Sequence, residues 1–230
     1  ENFATPLPAK AFGQTYPALL QAAGYRTGYL GKFAVGAPTV GQKNLALPAD
    51  RFDFWFGFPQ SINFRQKVDD SVRYLTTRME EQAVEFLRTN PRSRSFCLTV
   101  ALKEPHGPWN YFDPDVPDPY RDVEIPPPPT FTQEDYDDQP EFLRKSLNGG
   151  SGQRWLDDHA AYQDHVRKFY RLITRADVAV GRLMNALEEY DLAENTVIIY
   201  SSDHGSMLGA HGLVGKWIMY EESIRVPLII

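Results

Sequence analysis

The stretch Thr196-Val-Ile-Ile-Tyr-Ser-Ser-Asp-His-Gly-Ser-Met-Leu-Gly-Ala-His-Gly-Leu-Val-Gly-Lys216 decides how the chain is read. Its first six residues are mostly β-branched or apolar and have the length of a strand. If that strand ends at Ser201, Asp203 and His204 project beyond its carboxyl end, from a tight turn that Gly205 permits. Ligands of open α/β sheets gather at that end. A carboxylate beside an imidazole can hold a divalent cation or do acid/base work. His211 and Lys216 follow, so four polar groups interleaved with glycine fall within 14 residues. That pattern fits an anion site organised around a metal. The plainer alternative is a solvated turn in which Asp203 caps a following helix. One oxygen and one nitrogen donor suit zinc, manganese or magnesium, and calcium less naturally, and two neighbours do not close a metal site.

Working outward, helices alternate with short apolar runs. Tyr162, Val166, Phe169, Ile173, Ala176, Val180, Leu183, Leu187 and Tyr190 recur at intervals of four and three, which predicts one apolar stripe on a helix over 158–190. Leu75, Met79, Ala83 and Phe86 predict a second helix over 72–89, stopped by Asn90-Pro91. Thr15, Pro17 and Gly24 punctuate a first helix at its cap, first turn and end. Strands are expected at 26–30, 95–102, 196–201 and 226–230, with a Gly/Pro-broken loop over 31–50. Continuously apolar strands between helices predict an α/β fold, a mostly parallel sheet sandwiched between helices. Residues 104–156 hold the run Pro126-Pro-Pro-Pro129 and many acidic residues, and read as a Pro-rich surface excursion rather than a packed unit. The chain stops at Ile230 inside an apolar run, so the reading expects a domain that is incomplete.

Composition narrows the partners. The net charge is −6 and no basic block stands out, which argues against nucleic acid. No apolar run approaches the length of a membrane span, and Glu1-Asn-Phe-Ala-Thr-Pro carries no signal-peptide pattern. A single cysteine, Cys97, excludes an intrachain disulfide and reads as a buried strand thiol.

The blocks Ser-Asp-His-Gly, Leu-Gly-Ala-His-Gly-Leu-Val-Gly-Lys216 and Met219-Tyr-Glu-Glu-Ser-Ile-Arg-Val-Pro-Leu-Ile229 closely resemble the C-terminal half of the sulfatase catalytic domain, in the alkaline-phosphatase superfamily. Leu19-Leu-Gln-Ala-Ala-Gly-Tyr-Arg-Thr-Gly-Tyr-Leu-Gly-Lys32 looks like that family's helix-strand-Gly-Lys segment, and Arg51-Phe-Asp-Phe-Trp-Phe-Gly57 like its aromatic loop. Pro105-His106 and residues 177–195 also match, in family order, across nearly the whole chain. The resemblance implies a sulfuric ester hydrolase with an alkaline-phosphatase-like fold, acting on a small-molecule or carbohydrate sulfate ester. It implies that Asp203 and His204 are two ligands of one divalent cation, usually Ca2+ in the family, with Mg2+ or Mn2+ as alternatives. Lys32 and Lys216 match lysines that contact sulfate, His106 a histidine near the leaving oxygen, and His211 a residue at the pocket rim. Export to the periplasm or outside the cell is implied by family alone.

Two departures stand out. The family's nucleophile motif, Cys/Ser-x-Pro-x-Arg matured to formylglycine, does not occur, since Cys97 is followed by Leu98-Thr99. The paired aspartates that complete the metal site are also missing, and both parts are expected upstream of Glu1. Ala34 stands where many sulfatases have histidine, two places after Lys32. Two other readings stay open: a phosphoester or phosphonate monoester hydrolase of the same superfamily, and a catalytically inactive fragment that binds anions or a partner. His159 and His165 are expected on the helix surface, and Trp109 and Trp217 in packing.

Overall fold

The computed structural model describes residues 7–33, 35, 47–59 and 62–230; Ala34 and most of the expected 31–50 loop lie outside them. Two compact units form, Glu1–Val116 with Arg175–Glu194, and Pro117–Thr174 with Asn195–Ile230.

Elements are numbered in chain order. The first unit holds α1 (Ala9–Phe12), α2 (Tyr16–Ala22), β1 (Arg26–Lys32), β2 (Phe54–Phe58), β3 (Arg65–Val68), β4 (Ser71–Tyr74), α3 (Leu75–Arg88) and β5 (Phe96–Ala101). Its sheet has the order β2-β1-β5 with both pairings parallel, Gly28 lying opposite Phe54 on one side and Leu98 on the other. Alternation along β1 sends Leu30 to the face covered by α3, where it is buried with Leu75, Met79 and Ala83. Tyr29 faces the opposite way and stacks on Trp55 with centroids 5.2 Å apart. On that face α2 contributes Gln21, which donates to Thr27 Oγ1 (3.0 Å), and Tyr16, whose hydroxyl lies 2.6 Å from that of Thr99. The sheet is therefore sandwiched between helices, as expected of this α/β class. At Gly31, φ is +103° and an added Cβ would lie 2.0 Å from the Ala101 carbonyl oxygen, so only glycine lets β1 and β5 run this close.

Two local readings are corrected. The aromatic block at 51–57 is not a loop: Phe54–Phe58 forms β2, because its rings pack on Tyr29, Phe52 and Phe86. The helix expected over 72–89 begins only at Leu75, because Asp69, with φ 52°, turns the chain so that Ser71–Tyr74 pairs antiparallel with Arg65–Val68.

The second unit holds α4 (Gln133–Asp137), α5 (Glu141–Arg144), α6 (Leu147–Asp157), β6 (Tyr200–Ser201), α8 (Glu221–Ile224) and β7 (Leu228–Ile229). The intervening α7 (His159–Glu189) gives its first half to this unit and its second half to the other. The α7 stripe departs from expectation in its middle. Ile173 is exposed while Leu172 and Ala179 are buried, because Arg175 occupies the buried line and is claimed by Glu80 and Asp113. Residues 104–130 contain no helix or strand, but the rest of the supposed surface excursion is more ordered than expected. Thr132 and Ser146 cap α4 and α6, and Ile125 and Tyr136 are buried. The strand expected over 196–201 shortens to Tyr200–Ser201, which pairs antiparallel with Leu228–Ile229, as β3 does with β4, whereas the β2-β1-β5 sheet is parallel.

Candidate functional site

In the second unit, the segment after β6 is shaped by close backbone packing. The Gly205 amide donates to the Ser223 carbonyl (2.9 Å), and a Cβ at Gly205 would lie 2.1 Å from the Glu222 oxygen. Glycine is thus what lets the turn carrying Asp203 and His204 seat against the start of α8. The loop then closes on itself: Met207 N donates to Gly215 O, and Gly209 N to Leu213 O. Met207, Ala210 and Leu213 are buried beneath it. Asn148, on the first turn of α6, ties the far end down, donating from Nδ2 to Lys216 O (2.7 Å) while its own carbonyl accepts from Val214 N.

This framework brings Asp203, His204 and Lys216 together. His204 Nδ1 donates to the Gly205 carbonyl (2.7 Å), which leaves Nε2 with a lone pair. Lys216 Nζ donates to that Nε2 at 2.7 Å, and Asp203 Oδ2 stands 3.5 Å from it. All three line a cleft of about 460 Å³ with Trp217, Met219 and Ser223. Its donor set fits part of a divalent-cation shell, one exposed carboxylate and one imidazole nitrogen whose tautomer is already fixed. Among the described residues no group of three or more His, Cys, Asp and Glu side chains is placed to hold a metal.

His211 adopts φ 57°, its amide donates to Thr130 Oγ1 (3.1 Å), and its ring lies 4.9 Å from that of Tyr220. Its Nε2 faces Glu222 Oε1 at 3.6 Å. Glu222 thus stands by His211. Trp217 is not packed: it is 83% exposed, with φ 73°, and the Lys216 ammonium lies 5.6 Å from its ring centroid. His165 is not a surface residue either; it lies against Trp155, 4.6 Å between ring centres, and burial pushes its imidazole down to about 4.

Lys32 and His106 belong to the first unit. Lys32 ends β1 and pairs with Phe58 of β2. Lys103 follows the neighbouring strand β5; it is buried, donates to the Ile62 carbonyl and lies over the Phe64 ring. Burial lowers its ammonium, Glu104 opposes that and nearby Lys32 adds to it, so two lysines share the carboxyl ends of β1 and β5. His106 is exposed, its amide donating to Lys103 O (2.9 Å) and its Nδ1 to Gly107 O (2.9 Å). Trp109 Nε1 donates to Pro105 O (3.2 Å) across the same turn. Sequence reasoning missed Lys103 and Met219; the position of Lys103 just after an apolar strand was the available signal.

The sequence pattern of the Sulfatase family matches residues 9–230. The chain is 24% identical to an N-acetylglucosamine-6-O-sulfatase of Bacteroides thetaiotaomicron over 94% of its own length and 48% of that protein's. It is 33% identical to an arylsulfatase of Clostridium perfringens over 65% of this chain and 30% of that one. It therefore spans less than half the length of either curated relative. Its fold also matches the crystal structure of a phosphonate monoester hydrolase of Agrobacterium radiobacter, with a TM-score of 0.59, 17% identity, and coverage of 97% of this chain and 53% of that one. With the fold, the ordered motifs and a match over nearly every residue in agreement, the chain belongs to the sulfatase family.

Proposed function

We propose that these 230 residues are part of the catalytic domain of a sulfuric ester hydrolase, and that sequence outside them carries the formylglycine nucleophile and the remaining metal ligands. One observation carries the reading: Asp203, His204 Nε2 and Lys216 Nζ meet in one cleft. A sulfate ester bears one negative charge, and charge grows on its oxygens and on the departing alkoxide as the S–O bond breaks. A divalent cation held by Asp203 and His204, with Ca2+ the expected occupant and Mg2+ or Mn2+ alternatives, would supply positive charge to those oxygens. Lys216 adds an ammonium beside the same donors, and Lys32 adds another from the end of β1, each stabilising charge where it develops. His106, when protonated on both ring nitrogens, would give its Nε2 proton to the leaving oxygen while its Nδ1–H stays on Gly107 O. His211, backed by Glu222, sits at the pocket rim and orients substrate. The substrate class is a small-molecule or carbohydrate sulfate ester, in keeping with the names of the two curated relatives.

The test has two arms. The 230-residue chain alone should turn over no 4-nitrophenyl sulfate and should bind Ca2+ weakly, because two ligands cannot hold it firmly. Joined to a segment bearing a matured Cys-x-Pro-x-Arg motif, it should hydrolyse aryl sulfates, and Lys216→Ala should cut kcat/KM by on the order of 100-fold or more. Turnover of a phosphonate monoester in preference to a sulfate would replace this reading with the phosphonate one. Anion binding without turnover of either would leave a binding module.

A further inference from the structure

Among the described residues, five charged side chains are buried in the first unit: besides Lys103, they are Arg175, 2% exposed, Glu80 3%, Asp113 5% and Glu104 7%. A buried ion pair seldom adds net stability over well-packed apolar residues, and what such groups do supply is fixed geometry. The geometry here concerns one loop. Arg175 Nε donates to Asp113 Oδ2 (2.9 Å), Thr77 Oγ1 donates to the same oxygen (3.1 Å), and Arg175 Nη2 donates to Thr77 Oγ1 (3.0 Å). Arg175 is itself held by Glu80, which also takes Arg182. One residue earlier on α3, Thr76 donates to Glu104 Oε1. Burial raises the Glu104 carboxyl, and its second oxygen has no hydrogen-bond partner among the described residues.

Thr76 and Thr77, adjacent on the first turn of α3, thus grip Glu104 and Asp113, ten positions of chain that contain no helix or strand. His106 lies between the two grips with its imidazole exposed. We propose that Thr76, Thr77 and Arg175 are positioning residues, which hold both ends of the His106 loop through the carboxyls of Glu104 and Asp113 and thereby aim His106 at the leaving oxygen. The proposal rests on the sulfatase reading for the proton transfer but not for the anchoring. A misplacement of about 1 Å in a catalytic group can cost on the order of 100-fold in rate.

Asp113→Asn and Thr77→Val keep shape while removing charge or hydroxyl, and Thr77→Ser restores the hydroxyl. In the 230-residue chain, hydrogen exchange at amides 106–112 should quicken in the first two variants and return towards wild type in the third, with β1 amides unchanged. In the longer, nucleophile-bearing protein, the loss in kcat should grow with the basicity of the leaving group. It should be a few-fold for 4-nitrophenyl sulfate and on the order of 10- to 100-fold for an alkyl or sugar sulfate, while KM changes little. A merely structural role would lower all substrates equally. Equal losses, or loop exchange unchanged in Asp113→Asn, would overturn the proposal. If the wild type hydrolysed no sulfate while the loop still loosened, the sulfatase reading would fall and the positioning role with it; unchanged exchange alone would sink the anchor and spare the sulfatase reading.

Discussion

The two runs that lead into candidate site residues end in opposite surroundings, and the more apolar of them is the more exposed. β1 leads to Lys32, is paired on both sides, and buries Leu30 completely. The run leading to Asp203 is more apolar, yet Val197 is 76% exposed and Ile199 64%, and only Tyr200–Ser201 pairs, with Leu228–Ile229. A β-branched run states a preference for a pleated, half-buried surface, and its energetic weight depends on what packs against it. Lys32 stands on a frame whose neighbours are all in place; Asp203 and His204 owe their placement to the glycine turn, the Met207–Leu213 core and Asn148 instead.

The contrast can be broken by substitution. The largest effect should come from Gly31→Ala, which forces a Cβ onto the Ala101 carbonyl and a left-handed φ onto alanine; destabilisation of about 3 kcal/mol or more is expected in urea titrations. Met79→Ala, which empties part of the β1–α3 core, should cost about 2–5 kcal/mol. Ile199→Ala, on the exposed run, should stay within about 0.5 kcal/mol. A loss at Ile199 equal to that at Met79 would mean that the run is buried in solution and that the contrast is false.

Acidity sharpens the comparison, because burial disfavours the charged form of a titratable group in each unit. His165, in the second unit, has its folded pKa lowered from the ordinary 6.5 to about 4. The unfolded chain therefore binds more protons between those values, and this group's contribution is present above pH 6.5 and lost as pH falls towards 4. Glu104, in the first unit, has its carboxyl raised by burial, so the folded state binds the extra proton. Its contribution is greatest at low pH and declines as pH rises from the ordinary carboxyl value through the raised one. His165→Gln should flatten the acid limb of the stability profile, and Glu104→Gln should flatten the decline on its alkaline side. An unchanged profile in either variant would show that the group titrates normally. The smallest effect belongs to Arg92→Ala, whose ion pair with Asp191 is exposed at both ends and should be worth less than about 0.5 kcal/mol.

Periodicity and punctuation made the helices legible: α7 runs over His159–Glu189 against an expected 158–190, and α2 lies between Thr15 and Gly24 as read. The β3–β4 hairpin was not legible, because Arg65-Gln-Lys-Val68 carries little β-branched or aromatic signal and its turn rests on a left-handed aspartate rather than glycine. The middle of the α7 stripe was misread for a related reason: pattern analysis treats arginine as a surface residue, and Arg175 is buried because Glu80 and Asp113 neutralise it. At the site, the Asp203–His204–Lys216 cluster followed from spacing, since one loop carries all three. The Glu222–His211 pairing and the double grip on the His106 loop did not, since both join segments that only folding brings together.

The central claim is that Asp203, His204 and Lys216 form one site in the loop that follows β6. Substoichiometric Mn2+ added to the 15N-labelled chain tests it, since a paramagnetic ion broadens every nearby resonance. The amides of Asp203, His204 and Lys216 should broaden at an ion concentration that leaves those of α2 sharp. Broadening spread evenly along the chain, or amides of Asp203, His204 and Lys216 as sharp as before, would contradict it.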